Sequence, residues 1–173
     1  GISGINLEDY DLRNRKLFSV DAQSRRIGLV RQTAESMGVP LFINARTDVY
    51  IRGTNSVTKE EKWEETRARG KTYLEAGADG IYPITLTDKE DIGNLVSALA
   101  CPINILAIPG IPDLKTLAAL GVARLSLGPG FLKIAIRAMK QAALELRNGE
   151  GLRSVTENEI SSDYLKKLVS SSR

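Results

Sequence analysis

Short apolar runs alternate with stretches of helical periodicity along this chain, and the alternation repeats five times. Period-two runs bounded by turn residues predict strands at Gly4–Glu8, 41–46, Gly80–Pro83, 103–107 and 124–127. The 3.6-residue period predicts helices at 22–37, 59–76, 88–98, 113–120 and 131–148. Gly38, Gly77 and Gly121 stand just past predicted helix ends, where a left-handed residue costs least in glycine, and Thr58 and Asp113 are placed to cap helix starts. The phrases Glu75-Ala-Gly-Ala-Asp79-Gly80 and Ala119-Leu-Gly-Val-Ala-Arg124 each close a helix and enter a strand within a few residues, so the repeated unit is βα. Short connections between such units suit a parallel sheet. An open doubly wound sheet normally carries a glycine-rich turn after its first strand, and none is present. The expected fold is therefore α/β, a parallel (β/α)8 TIM barrel. Five units leave three of the barrel's eight unaccounted for, and with Gly rather than Met as first residue a start inside a longer chain is expected.

A hydrophobic content of 42% in 173 residues is enough for one core, with no shift of composition before the polar tail. Residues 1–150 are expected to form the barrel part. Residues 151–173 are expected to be a polar tail or helix, with Tyr164, Leu165 and Leu168 as its apolar cluster. The 24 basic and 21 acidic residues are too evenly mixed for a nucleic-acid footprint, so a small molecule is the expected partner. No apolar run approaches the roughly 20 residues that cross a bilayer. Cys101 stands alone, which excludes an internal disulfide and fits a reducing, cytoplasmic setting. The chain has no histidine, which removes the commonest general base and most transition-metal sites. Any metal must prefer oxygen: Mg2+ first, then Mn2+.

Strand alternation sorts the polar residues. Asn6 and Glu8 share one face and Ile5 and Leu7 the other; Phe42, Asn44 and Arg46 likewise oppose Leu41, Ile43 and Ala45. Asn104 lies between Ile103 and Ile105, and Arg124 and Ser126 alternate with Leu125 and Leu127. Polar side chains thus converge on the barrel axis near the C-terminal rim, where barrel enzymes hold their active sites. A carboxylate and a guanidinium at adjacent strand ends are costly to bury unless they pair or bind something. Arg46 offers a planar fork for a carboxylate or phosphate, and Glu8 a hard oxygen for a metal. Asn44 and Asn104 are candidate substrate ligands that serve equally well in a buried hydrogen-bond network, and Ser126 is a candidate ligand or a small filler. Asp48 could orient Arg46 or accept backbone hydrogens, whereas Asp9, on the opposite face, reads as a loop or capping residue. Tyr10 to Ser19 reads as a long loop carrying Arg13, Asn14, Arg15 and Lys16, either a lid over an anionic substrate or a solvated charge run. Arg52 to Val57, with Gly53, reads as a second rim loop.

Gly4-Ile-Asn-Leu-Glu8-Asp9 and Asn44-Ala-Arg46-Thr-Asp48 resemble the isocitrate lyase and phosphoenolpyruvate mutase superfamily. The resemblance continues through Ala76-Gly-Ala-Asp79-Gly80-Ile81-Tyr82-Pro83, Pro102-Ile-Asn104 and Leu120-Gly-Val-Ala-Arg124-Leu-Ser126, and so covers the chain to about residue 150. It implies that the visible strands are strands 4 to 8 of the barrel. It also implies a magnesium-dependent enzyme that makes or breaks a C–C or P–C bond beside a 2-oxo acid through an enolate-like intermediate. By match to the motif, Glu8 would complete the metal's water shell and Arg46 would hold the substrate carboxylate or developing charge. The loop after Glu8 would be the gate, with Asn14 as its catalytic amide. A homo-oligomer is the family habit.

The departures are equally specific. The cysteine of the lyase gate is absent, so isocitrate lyase proper is not expected. Ile84 stands where the family often has His or Glu, and the aspartate-rich metal motif belongs to strands outside this sequence. Two alternatives follow. One is another barrel enzyme such as an aldolase, although a Schiff base needs a strand lysine and none of the five strands has one. The other is a non-catalytic truncated barrel or scaffold.

Overall fold

Alternating side chains make a strand only where one face finds apolar cover, and here that cover comes from helices on one side of a parallel sheet. The computed structural model describes residues 2–52, 57–157 and 159–170. In chain order its elements are β1 (Gly4–Glu8), a hairpin of β2 (Tyr10–Asp11) and β3 (Lys16–Leu17), α1 (Val20–Ser36), β4 (Phe42–Thr47), α2 (Val49–Arg52), α3 (Lys59–Glu75) and β5 (Gly80–Pro83). There follow α4 (Lys89–Leu99), β6 (Asn104–Leu106), α5 (Leu114–Ala119), β7 (Arg124–Ser126), α6 (Gly130–Arg147), α7 (Arg153–Thr156) and α8 (Ser162–Ser170). All five predicted strands and all five predicted helices are present, with ends moved by one or two residues. The chain forms two compact units, Gly1–Gly128 and Pro129–Arg173.

In the first unit β1, β4 and β5 pair in parallel in that order, and so do β6 and β7. A parallel bridge between Ile81 and Ile103 connects β5 to the start of β6. Neighbours in space are thus successive βα units in sequence. Helix α3 packs against α1 on one side and α4 on the other. Beneath them Ile27, Ile43, Tyr73, Ile81, Leu95 and Ile103 are fully buried. Each such aliphatic side chain contributes about 1.5–3 kcal/mol on leaving water. Polar residues hold the other face of the sheet, which is the alternation expected from sequence.

The helix starts are set by side-chain caps. Thr58 and Glu61 form a reciprocal capping box, and Asp113 accepts from the Thr116 N–H at 2.7 Å. Asp88 accepts from Glu90 and Asp91, which moves the start of α4 one residue past the expected position. At the N-terminal ends of the strands Arg31 donates to the carbonyls of Gly77 and Leu41 and to Asp79, which also accepts from the Ile43 N–H. This clasp ties α1 to the entries of β4 and β5.

Two expectations change. The stretch after β1 is not an open loop: β2 and β3 pair antiparallel, with the Asp11 carboxylate accepting from the Arg13 and Asn14 N–H groups across the turn. The segment expected as a second rim loop begins on α2, and residues 53–56, with Gly53, lie outside the described residues. In the second unit α6 is amphipathic, and Glu145 near its end accepts from Ser154 on α7. This unit begins at Pro129, so α6 is grouped with the segment that follows it. The tail supplies the helix α8, on which Tyr164, Leu165 and Leu168 lie.

Gly80 is required by the sheet. A Cβ there would stand 2.8 Å from the Pro102 carbonyl oxygen and 3.2 Å from the Phe42 ring. The same carbonyl accepts from the Ile81 N–H, so it cannot retreat without breaking the β5–β6 junction. Gly80→Ala is expected to cost about 1–3 kcal/mol by overpacking. Denaturant unfolding checks this, and an unchanged midpoint would refute it.

Candidate active site

The register of the sheet sets Glu8 beside Arg46 and Arg46 beside Tyr82, in one row across the C-terminal ends of β1, β4 and β5. Arg46 Nη1 lies 2.9 Å from Glu8 Oε2. Its opposite edge is held by Asp48, with Nε donating to Oδ1 at 2.7 Å and Nη2 to Oδ2 at 2.9 Å. This two-pronged geometry is the strongest that a guanidinium makes with a carboxylate. Asp48 is buried, and its own N–H donates to Asp9 Oδ1 at 2.9 Å. Burial works against the charge of Arg46, but Asp48 and Glu8 outweigh it and hold the group above its ordinary value. Arg46 is therefore a fixed cation whose Nη1 edge meets a half-exposed carboxylate.

Below this row the inward amides are paired. Asn44 donates to Asn6 at 2.8 Å, and Asn104 and Ser126 exchange hydrogen bonds at 3.0 and 3.1 Å. Both asparagines are buried, and they belong to two separate pairs: Asn44, on the face of β4 that carries Arg46, pairs with Asn6 of β1, and Asn104 of β6 pairs with Ser126 of β7. Asn14 is elsewhere: it sits in the hairpin turn and its side-chain amide donates to Asp11 at 2.6 Å. Ile84 is buried just past β5.

Two residues near Arg46 were given no site role from the sequence. Tyr82 is buried next to Arg46 and interacts with Ser126; burial pushes its phenol above the ordinary value, so it is a neutral hydrogen-bond donor at pH 7. Its position opposite Arg46 was readable from strand alternation. Asp9, read as a loop or capping residue, is instead fully buried, with Tyr73 and Arg69 of α3 as partners. Its place against the helices followed from alternation, but its partners lie 60 and more residues away and leave no local pattern. Cys101 is no substitute for a gate cysteine, since burial pushes its thiol up to about 11 and keeps it protonated.

Among the described residues no group of three or more His, Cys, Asp or Glu is arranged to hold an ion. Glu8 offers one oxygen and already faces Arg46. Among the same residues no helix is long and apolar enough to cross a membrane.

The sequence matches the family described as phosphoenolpyruvate phosphomutase over residues 1–147. An uncharacterized protein of Mycobacterium tuberculosis strain H37Rv is 31% identical over 159 residues, covering 91% of this chain and 57% of that protein. An oxaloacetate decarboxylase of Pseudomonas fluorescens strain SBW25 is 31% identical over 144 residues, 80% of this chain and 47% of the relative. The chain thus spans about half the length of these curated relatives. A phosphonomutase-like protein from Burkholderia cenocepacia superposes with a TM-score of 0.75 at 38% identity, covering 86% of this chain and 58% of that one.

The grip on Arg46 makes a direct prediction. Asp48→Asn removes the charge and one acceptor from a buried pair, and is expected to cost about 1.5–3 kcal/mol of stability. Thermal or denaturant unfolding measures it; a loss well under this range would mean that Arg46 does not depend on Asp48.

Proposed function

The chain belongs to the phosphoenolpyruvate phosphomutase family, and on that premise we propose that it forms strands 4 to 8 of a TIM barrel acting on a small 2-oxo acid or its adduct. The reaction breaks or forms a C–C or P–C bond beside the 2-oxo group, at the C-terminal rim. The observation that carries this reading is the guanidinium of Arg46, gripped by Asp48 on one edge and presented with Glu8 on the other.

An anionic substrate competes with Glu8 for Nη1. Its carboxylate takes the place of the Glu8 contact while Asp48 keeps the guanidinium from turning. As the bond beside the 2-oxo group breaks, negative charge grows on the enolate oxygens, and a cation fixed in advance stabilises that charge without reorganising. Tyr82, a neutral phenol next to Arg46, can donate to the same oxygens. Ser126, held by Asn104, and Asn44, held by Asn6, line the wall below the row and set the size of the substrate. Ile84 cannot move a proton, which leaves Glu8 as the carboxylate of this row. The β2–β3 hairpin follows Glu8 directly, and on closing over the rim would carry the Asn14 amide toward the substrate.

Magnesium, or manganese in its place, is the cofactor that the family resemblance implies. Glu8 would reach it through water, the way magnesium is held by few carboxylates. The described residues supply that one donor and not a set. The same shortage favours a second reading, in which this chain binds the anion without turning it over.

The test is turnover of oxaloacetate, phosphonopyruvate and an alkylmalate, with magnesium present and absent, beside oxalate titration. Arg46→Ala is expected to lower kcat/KM by roughly a hundredfold or more. Arg46→Lys is expected to rescue it poorly, because an ammonium cannot span Asp48 and an anion together. Oxalate binding that depends on Arg46 without turnover would select the second reading. Neither binding nor turnover would reject both. Glu8→Gln removes the competing charge and is expected to tighten oxalate binding while lowering turnover; weaker oxalate binding would contradict the displacement at Nη1.

A further inference from the structure

The most deeply buried charged group of the first unit lies behind the rim. Asp9 and Tyr73 are 0% exposed and Arg69 is 6% exposed. Asp9 Oδ2 accepts from the Tyr73 hydroxyl at 2.8 Å and faces Arg69 Nη1 at 3.3 Å, while Oδ1 accepts from the Asp48 N–H at 2.9 Å. Arg69 Nη1 also donates to the Phe18 carbonyl at 3.0 Å and to the Tyr73 oxygen at 2.9 Å. The main chain repeats the connection: the Asp9 N–H donates to the Arg46 carbonyl at 3.1 Å, and the Asp9 carbonyl accepts from the Phe18 N–H at 2.8 Å.

Asp9 and Phe18 are the two stems of the hairpin, and Asp48 is the residue that grips Arg46. One buried cluster on α3 thus touches both. Such a cluster is a poor device for stability alone, since a buried ion pair replaced by apolar groups of equal volume is often no less stable. What it supplies is direction: an acceptor, a cation and a phenol fix one geometry where packed hydrocarbon would allow several.

We propose that Asp9, Arg69 and Tyr73 are positioning residues, a latch that locks the hairpin stems to the Asp48–Arg46 pair and so sets how Arg46 meets an anion. The importance of Arg46 rests on the proposed function, but the mechanical link does not. Loosening the latch frees Asp48 and the hairpin together, although none of the three residues lies in the row that faces the substrate.

The test uses the whole chain with Tyr73→Phe and Arg69→Lys, the milder change guarding against loss of folding, and Glu65→Gln as control. Glu65 meets Arg69 on Nε, away from Asp9. Thermal melts establish that each variant is folded. The ¹⁵N signal of the Arg46 Nε–H reports the Asp48 grip, amide exchange over residues 10–17 reports the hairpin, and oxalate titration reports the anion. In both latch variants the Arg46 signal is expected to shift and exchange faster with water, hairpin amides to lose protection, and oxalate affinity to fall about tenfold. Glu65→Gln is expected to leave all three unchanged. Folded latch variants with an unaltered Arg46 signal overturn the proposal, even if the hairpin loosens. If the unmodified chain fails to bind oxalate, the functional reading falls, and the Arg46 signal still decides the latch.

Discussion

The grip of Asp48 on Arg46 is the interaction around which the site is arranged. A guanidinium turned toward the inside of a sheet pays a desolvation cost, and its side chain here is only 24% exposed. Asp48 offsets that cost with two aligned hydrogen bonds, and so fixes the plane of the group as well as its charge. Everything nearby takes its place from that plane. Glu8 can reach only the edge that Asp48 leaves, and Tyr82, one strand over, is held at its side by the parallel register. Asp48 in turn is fixed through its backbone by a carboxylate deeper in the protein.

Polarity is divided across the sheet, with Phe42 on the polar face and Asp9 against the helices as exceptions. Helices α1, α3 and α4 meet apolar side chains on one face, and the other carries Glu8, Arg46 and the amide pairs. The row contains a fixed cation, a neutral phenol and one carboxylate, Glu8, with no histidine, and an isoleucine lies beyond β5. Under the proposed reaction this balance is coherent, because charge released by bond cleavage beside a 2-oxo group delocalises onto oxygens that a cation can hold.

What the sequence revealed depended on the range of the interaction. Alternation placed Glu8 and Arg46 on one face, and two residues of spacing made Asp48 a candidate to orient Arg46; both are local. The helix starts at Thr58 and Asp113 were legible for the same reason. Asp9 was not, since its partners come from α3, whose sequence is so rich in Glu, Lys and Arg that Arg69 reads as one more solvated charge. The hairpin was missed because its turn is closed by the Asp11 side chain and a left-handed Arg15, without a glycine to mark it. Tyr82 followed from the pattern, but a tyrosine in a four-residue apolar strand reads first as core.

The Arg31 clasp lies at the opposite ends of the strands from the row of Glu8, Arg46 and Tyr82. It joins α1, the turn at Gly77 and the start of β4 through backbone carbonyls and one aspartate, without using any residue of the rim. Substitutions at the rim therefore leave this fastening untouched, and those at the clasp leave the charges around Arg46 in place. Such a division would let the chemistry at one end of the strands change without loosening the scaffold held at the other.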